Sequence, residues 1–431
     1  MKIYRDGEVF APVQAALDSL EHCIVKDDVC GFRYPFFAPG GYGNNWWQLD
    51  SSSALEGYQW HDFAFAKRSL LNFPEVQRED GRIPLYGPDL LPKSPHHSVQ
   101  SDNASSLPTL FPVAYRTALA SGDRAYAETV FQMLARYSDW WQENRVDKAT
   151  GLVTALFEET FPPYLGRAGE YVGVDTCAFA AMGASDTANL AALLGYGEKE
   201  AFYRARSKAL FSAAETYLWD EETGLFRPRE PDGTFGVCSA EGFYMLADPA
   251  LPKERRERLL SAMKGAAFGW ERYPLCSVSR ESPAFCITRG EHYQFNESWS
   301  GMVWSLINRW VVHGLDAAGC RAEAVALAEK TVSLIGCECR EFYDPDIGDG
   351  HGAHDYAWTA SHLLALLLEI MLGIRYDGFR KVLTVQPAVS GKWEITSLCC
   401  GTDGYADLVI ENGALADVRF RGNTVEIKTE Q

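Results

Sequence analysis

Apolar residues recur with a helical period of about 3.6 from one end of this chain to the other, and no other feature narrows its possible folds as much. The pattern runs through ALDSLEHCIV, SALEGYQWHDFAFAKRSLLNF, LPTLFPVAYRTALASG, AYAETVFQMLARYSDWWQEN, ASDTANLAALLG, AFYRARSKALFSAAETYLW, SGMVWSLINRWVVHGLDAAG, AEAVALAEKTVSLIG and WTASHLLALLLEIM. Most of these stretches stop at Gly or Pro, as helices do. Between them lie long loops dense in Gly, Pro, Asp and aromatic residues, among them FFAPGGYGNNWWQLD and FEETFPPYLGRAGEYVGVD. Loops of that length in a compact protein are usually functional.

A chain of 431 residues is too long for one ordinary hydrophobic core, so it predicts either two domains or one large repetitive architecture. Twelve helices of about 12 residues, with their connections, would occupy about 370 residues. The expectation is therefore a mainly α fold, with stacked helical hairpins closed into an (α/α)6 toroid over residues 1–374. Beyond Ile374 the character changes to short β-branched runs such as VLTVQPAV, WEITSLCC and YADLVIEN, separated by turn residues. Residues 375–431 are expected to form a small C-terminal antiparallel β cap.

Composition removes several classes of function. With 58 acidic against 40 basic residues the formal charge is −18, which opposes nucleic acid and anionic membranes, since both need a cationic face. No stretch offers the roughly 18 uncharged apolar residues of a membrane span, and the N-terminus lacks a signal-peptide core. The 11 cysteines follow no disulfide or metal spacing. A cytoplasmic protein with reduced, mostly buried thiols and a small-molecule ligand is expected, its oligomeric state open.

Four stretches could carry chemistry. In NNWWQLDSSSALEGY, Asp50 either caps a helix or, beside Trp47, binds a sugar, whose C–H faces stack on aromatic rings while its hydroxyls reach a carboxylate. In ALFEETFPPY, Glu158 and Glu159 are either solvated or, where apolar neighbours desolvate one, a general acid. In RGEHYQFNESWSGMVW, Arg289, Glu297 and Trp299 belong to a polar, aromatic-flanked segment that is costly to bury without a ligand. In CREFYDPDIGDGHGAHDYAWTASHL, His351, His354 and several aspartates invite a metal. Their spacing matches no zinc or calcium pattern, so no metal site is expected.

Taken in this order, the stretches resemble the (α/α)6-barrel glycoside hydrolases of the trehalase, mannosylglycerate hydrolase and family 63 α-glucosidase group. PGGYGNNWWQLDSSSALEGY is similar to the family segment with a Gly-Gly turn, aromatics and W-D-S, with Leu49 in place of the Trp. DGRIPLYG is similar to the D-G-x-I-P element, and SVQSDNASSLP matches the substrate loop at Gln100. REFYDPDIGDGHGAHDYAWTASHL resembles the segment carrying the general base, which falls on Glu341, and Trp358 matches the aromatic that closes the sugar subsite. The general-acid segment is shortened to FEETFPPY; aligning its Pro places Glu159 on the acid, whereas aligning its first Glu puts Glu158 on the family's non-catalytic glutamate, and Glu158 stands as the alternative acid. The resemblance covers most of residues 35–372.

It implies an exo-acting, inverting hydrolase of an α-linked glucoside or mannoside that needs no cofactor. Glu159 would be the acid, Glu341 the base, and Trp47, Asp50, Gln100, Arg289, Glu297, Trp299 and Trp358 would bind substrate. A sugar epimerase or lyase using His292 or His354, and a non-catalytic carbohydrate-binding relic, are the rival readings.

Overall fold

The computed structural model describes residues 1–26, 31–87, 104–156, 158–161, 172–287 and 298–429. Its helices are α1 (Ala11–His22), α2 (Gln48–Tyr58), α3 (Phe63–Leu70), α4 (Asn72–Val76), α5 (Leu110–Ser121), α6 (Arg124–Asn144), α7 (Val174–Leu194), α8 (Gly197–Tyr217), α9 (Lys253–Met263), α10 (Ser305–Ala317), α11 (Arg321–Ile335) and α12 (Ala357–Ala365). A 3-10 helix spans Ala240–Ala247, and α12 runs on through a π-helical stretch, Leu366–Met371.

Burial sorts these helices into two kinds. Every residue of α2 and α12 is buried, as in a helix surrounded by protein. The amphipathic stripe expected for WTASHLLALLLEI is therefore absent, because that helix has no solvent face. By contrast α8 buries one stripe, Tyr203, Ser207, Leu210, Phe211 and Ala214, and turns the rest outward. The buried helices touch in chain order: α2 packs on α5, α5 on α7, α7 on the 3-10 helix, that helix on α10, and α10 on α12, which returns to α2. Partners with a single apolar face pack outside, α6 on α5, α8 on α7, α9 on the 3-10 helix and α11 on α10.

The α2–α12 crossing is tight for a specific reason. Gly57 N–H donates to Ser361 Oγ at 2.8 Å, Ser361 Oγ donates to the Ser53 carbonyl at 2.7 Å, and a Cβ on Gly57 would overlap the Ser361 carbonyl oxygen. Glycine alone permits that approach.

The expected single helix over residues 53–73 is broken, because the Asp62 side chain accepts the Phe65 N–H at 2.9 Å and starts α3 afresh. Helix α9 and the 3-10 helix went unanticipated: KERRERLLSAM buries only Leu259 and Met263, too little for a periodic signal. Helix α7 is long and apolar enough to cross a membrane by length and composition, although Asp175 and Asp186 interrupt it. Within its most apolar window 72% is buried inside the protein, as a core helix would be.

Strands β1 (Lys2–Arg5), β2 (Glu8–Val9), β3 (Ile24–Val25), β4 (Phe36–Phe37), β5 (Trp219–Asp220), β6 (Leu225–Phe226), β7 (Phe342–Tyr343) and β8 (Gly350–His351) precede the C-terminal group. That group is β9 (Ile374–Asp377), β10 (Val382–Val385), β11 (Lys392–Cys400), β12 (Gly404–Glu411), β13 (Ala414–Gly422) and β14 (Glu426–Thr429). Its main sheet has the order β13-β12-β11-β1-β2, so strands from both ends of the sequence share it. Pairing is antiparallel there, but β14 lies parallel to β10. The strand region is thus neither wholly C-terminal nor wholly antiparallel: β1 supplies the hydrogen bonds that the β11 edge lacks. The ten described cysteines are free thiols.

Candidate active site

The N-terminal ends of α2 and α12 meet the β7–β8 hairpin, and three carboxyl groups gather there. Trp47 is extended and precedes α2 without capping it through its side chain, which leaves Asp50 in the first turn, facing inward. Asp50 is no helix cap; it is buried and accepts the Tyr356 hydroxyl at 3.2 Å. Burial, opposed by that bond and reinforced by the charge of Glu341, pushes its carboxyl up to about 7.

Glu341 enters the hairpin beside Phe342. Its N–H donates to the Ala353 carbonyl at 3.1 Å, and Ala353 N–H returns a bond to Glu341 Oε2 at 3.1 Å. Tyr42, from the Gly-Gly turn, donates its hydroxyl to the same oxygen at 2.7 Å. Gly352 holds φ at +71°, and a Cβ there would meet Glu341 Oε2. Two donors on one oxygen suit a carboxylate that accepts.

Glu158 and Glu159 sit side by side in opposite circumstances. Glu159 is fully buried: Arg145 grips it with Nε on Oε2 at 2.6 Å and Nη2 on Oε1 at 2.8 Å, while Ser105 N–H and Leu156 N–H fill the remaining positions at 2.7 and 2.9 Å. Glu158 has φ of +56°, a left-handed conformation that costs a residue with a Cβ about 1–3 kcal/mol. Its backbone is pinned by Leu107 N–H on the Glu158 carbonyl at 2.9 Å. Its side chain is half-buried, and its carboxyl is pushed up to about 8, by burial first and then by the charge of Asp50.

Aromatic rings form the adjoining wall. Trp299 stacks on Trp304 at 3.4 Å and on Phe161 at 4.5 Å, and Trp358 meets Tyr356 edge-on at 4.7 Å and Trp304 at 6.2 Å. Trp299 and Trp358 are only 1% and 3% exposed, so they back the wall more than they offer a face. Trp47 is half-buried and packs edge-on against Tyr86 at 5.4 Å. Gln100, Arg289, Glu297 and His292 lie outside the described residues.

The acidic, histidine-bearing loop is used structurally. Asp344 Oδ1 accepts the N–H groups of Asp346 and Ile347, Asp346 pairs with Arg280 at 2.9 Å, His351 stacks on Phe342, and exposed His354 contacts Arg340 at 2.6 Å. Sequence reading missed Tyr42 and Tyr356. Nothing in the spacing of a tyrosine predicts a hydroxyl aimed at a carboxylate some 300 residues away.

A carboxylate held by two donors, a carboxyl pushed up to about 8 and a buried third, beside aromatic rings, form a site suited to general acid and base chemistry on a ring-shaped polar ligand. The model of the mannosylglycerate hydrolase MGH1-like glycoside hydrolase domain matches residues 43–160 and 163–359, and the chain belongs to that family. A mannosylglycerate hydrolase of Rubrobacter radiotolerans is 30% identical over 194 residues, covering 43% of this chain and 41% of the relative. The matched stretch therefore spans well under half of that protein. Among solved structures, the family 63 mannosylglycerate hydrolase of Thermus thermophilus in complex with Tris and D-glycerate is 21% identical with a TM-score of 0.68, over 83% of this chain and 99% of that one. Neutral trehalase of Saccharomyces cerevisiae is 16% identical with a TM-score of 0.60, over 78% of this chain and 73% of that one. These likenesses are of fold.

Proposed function

We propose that this protein is an exo-acting, inverting glycoside hydrolase of an α-linked mannoside or glucoside, built on an (α/α)6 toroid with a β cap. The observation that carries the reading is the contrast between Glu158, whose carboxyl keeps its proton near neutrality, and Glu341, whose carboxylate is held by Tyr42 and Ala353. In an inverting reaction one carboxylic acid protonates the leaving oxygen while a carboxylate takes a proton from water attacking the opposite face.

Glu158 is the acid in this reading, in place of Glu159. Four donors already occupy the Glu159 carboxylate, which leaves it no way to meet a glycosidic oxygen. Glu158 gives its proton to the departing alcohol as the bond from the anomeric carbon breaks. Glu341 accepts a proton from the incoming water, and the sugar leaves with inverted configuration. Solvent then restores both groups. Asp50 and Trp47 hold the glycone, with Trp299 and Trp358 supporting the wall. The relatives' names make mannosylglycerate the first substrate to try.

The test is a panel of mannosylglycerate, glucosylglycerate, trehalose and simple α-mannosides and α-glucosides, read by hexose release and by NMR of the first anomer formed. Release of an inverted hexose from one of them is expected. No hydrolysis of any, or retention of configuration, would overturn the reading.

A further inference from the structure

A cavity lies at the far end of the same helices, and the proposed reaction makes no use of it. Asp50 stands in the first turn of α2, and Trp60 follows its last; Trp358 opens α12, and Glu369 lies in its π-helical extension. At 1.5 Å per residue, roughly 15 Å of helix separates the two ends. The cavity has a volume of about 220 Å³ and is lined by residues of α5, α10 and the C-terminal strands.

One wall is cationic. Arg309 is 1% exposed, and its Nη2 serves Glu56 at 2.7 Å and Glu369 at 3.0 Å, yet its Nε and Nη1 meet no acceptor among the described residues. Arg116 reaches the same two carboxylates, and Arg375 pairs with Asp316 at 2.7 Å. Glu369 and Asp316 are already committed, whereas Glu56 Oε2 meets no hydrogen-bond donor among the described residues. Glu369 accepts Trp60 Nε1 and both arginines; Asp316 accepts Arg321 and Arg375. Three arginines, Arg116, Arg309 and Arg375, line the cavity with two acids, Glu369 and Asp316, a surplus of one positive charge in the lining itself. Asp186, the further acid near Arg116, is pushed up to about 7 by burial, and burial with the nearby arginine charges keeps His313 neutral. The lining also carries apolar side chains, Trp60, Phe63, Leu119 and Ile374.

We propose that this cavity binds a small organic carboxylate, its charge meeting the idle donors of Arg309 and its hydrocarbon part lying against Trp60 and Ile374. Two buried guanidinium donors without acceptors are costly, and an anion answers both the donors and the surplus charge. A tetrahedral oxyanion fits less well, because the apolar side chains would leave half its oxygens bare. The inference does not depend on the glycosidase reading.

The experiment is calorimetric titration of the intact protein with propionate, benzoate and inorganic phosphate, in parallel with Ala120→Leu, which fills the cavity, and Arg375→Ala, which removes a solvent-accessible cation from its rim. Saturable binding of one carboxylate per chain is expected. Ala120→Leu should abolish it and Arg375→Ala weaken it about tenfold, a difference of 1.4 kcal/mol, with thermal unfolding confirming that both variants fold. Absence of saturable binding to the native protein would mean a water-filled cavity and sink the proposal. So would binding untouched by either variant, or preference for phosphate. Should Ala120→Leu fail to fold, Arg375→Ala decides alone.

Discussion

The Tyr42 hydroxyl donates to Glu341 Oε2 at 2.7 Å, joining the Gly-Gly turn near the N-terminus to a hairpin 299 residues later. Tyr42→Phe keeps the ring and its edge-on contact with Tyr356 while removing the bond. A carboxylate that loses a donor becomes a stronger base held in a looser position. A fall in kcat of about tenfold is expected, with the acidic limb of the kcat/KM profile moving to higher pH. A profile that keeps its acidic limb would show that Tyr42 does not act through Glu341.

Adjacent glutamates should respond differently to the same substitution. Glu158→Gln removes the proposed acid from a half-buried position, so kcat should drop by about 10²–10⁴-fold with little change in thermal stability. Substrates with a highly acidic leaving group, which need no protonation, should recover most of the loss. Glu159→Gln instead breaks a buried pair with Arg145 and should cost about 3–5 kcal/mol of stability, read as a lower melting temperature. An inactive but stable Glu159→Gln beside an active Glu158→Gln would reverse the assignment.

Stability should fall as pH rises. The carboxyls of Glu158 and Asp50 are raised in the folded state, to about 8 and about 7, by burial and by neighbouring negative charge. Between their unfolded values near 4 and these folded ones the native state binds more protons than the unfolded chain, so the slope of unfolding free energy against pH is negative. Above about pH 6.5, where the buried neutral imidazoles of His313 and His362 no longer oppose the trend, melting temperature should decline toward about pH 8, and Glu158→Gln should flatten that decline. A slope unchanged by the substitution would mean that Glu158 does not carry the proton.

Gly352 makes a separate prediction, since it sits at φ +71° with its Cα against the base. Gly352→Ala adds a methyl where Glu341 Oε2 lies and strains the backbone, for about 1–3 kcal/mol of stability. Turnover should fall by more than about 100-fold as Glu341, the proposed base, is displaced. Full activity in the folded variant would show that the position of Glu341 is not critical.

The helical character was legible because a period of 3.6 survives every loop, and the family because PGGYGNN, DGRIPLYG and the Glu341 segment keep their spacing. What spacing could not tell was which of two neighbouring glutamates to propose as the acid. That choice rests on one backbone angle, φ +56° at Glu158, and on an arginine 14 residues upstream of Glu159. Aromatic identity was likewise legible at Trp299 and Trp358, whereas their near-complete burial depends on rings contributed by Phe161, Trp304 and Tyr356. Strand character was plain in TVEIKTE, but the parallel pairing of β14 with β10 follows from where the chain re-enters after Gly422, a matter of topology.

The crossing at Gly57 works as a ruler. With the Ser361 hydroxyl bonded to both Gly57 and Ser53, and no room for a Cβ at position 57, the approach of the two helices that bear Asp50 and Trp358 is fixed by the smallest groups the chain can offer. Directed evolution toward a bulkier sugar therefore has no give at this seam. New substrate range must come from the loops that rim the site, and libraries confined to them should return active variants far more often than libraries that include positions 53, 57 and 361.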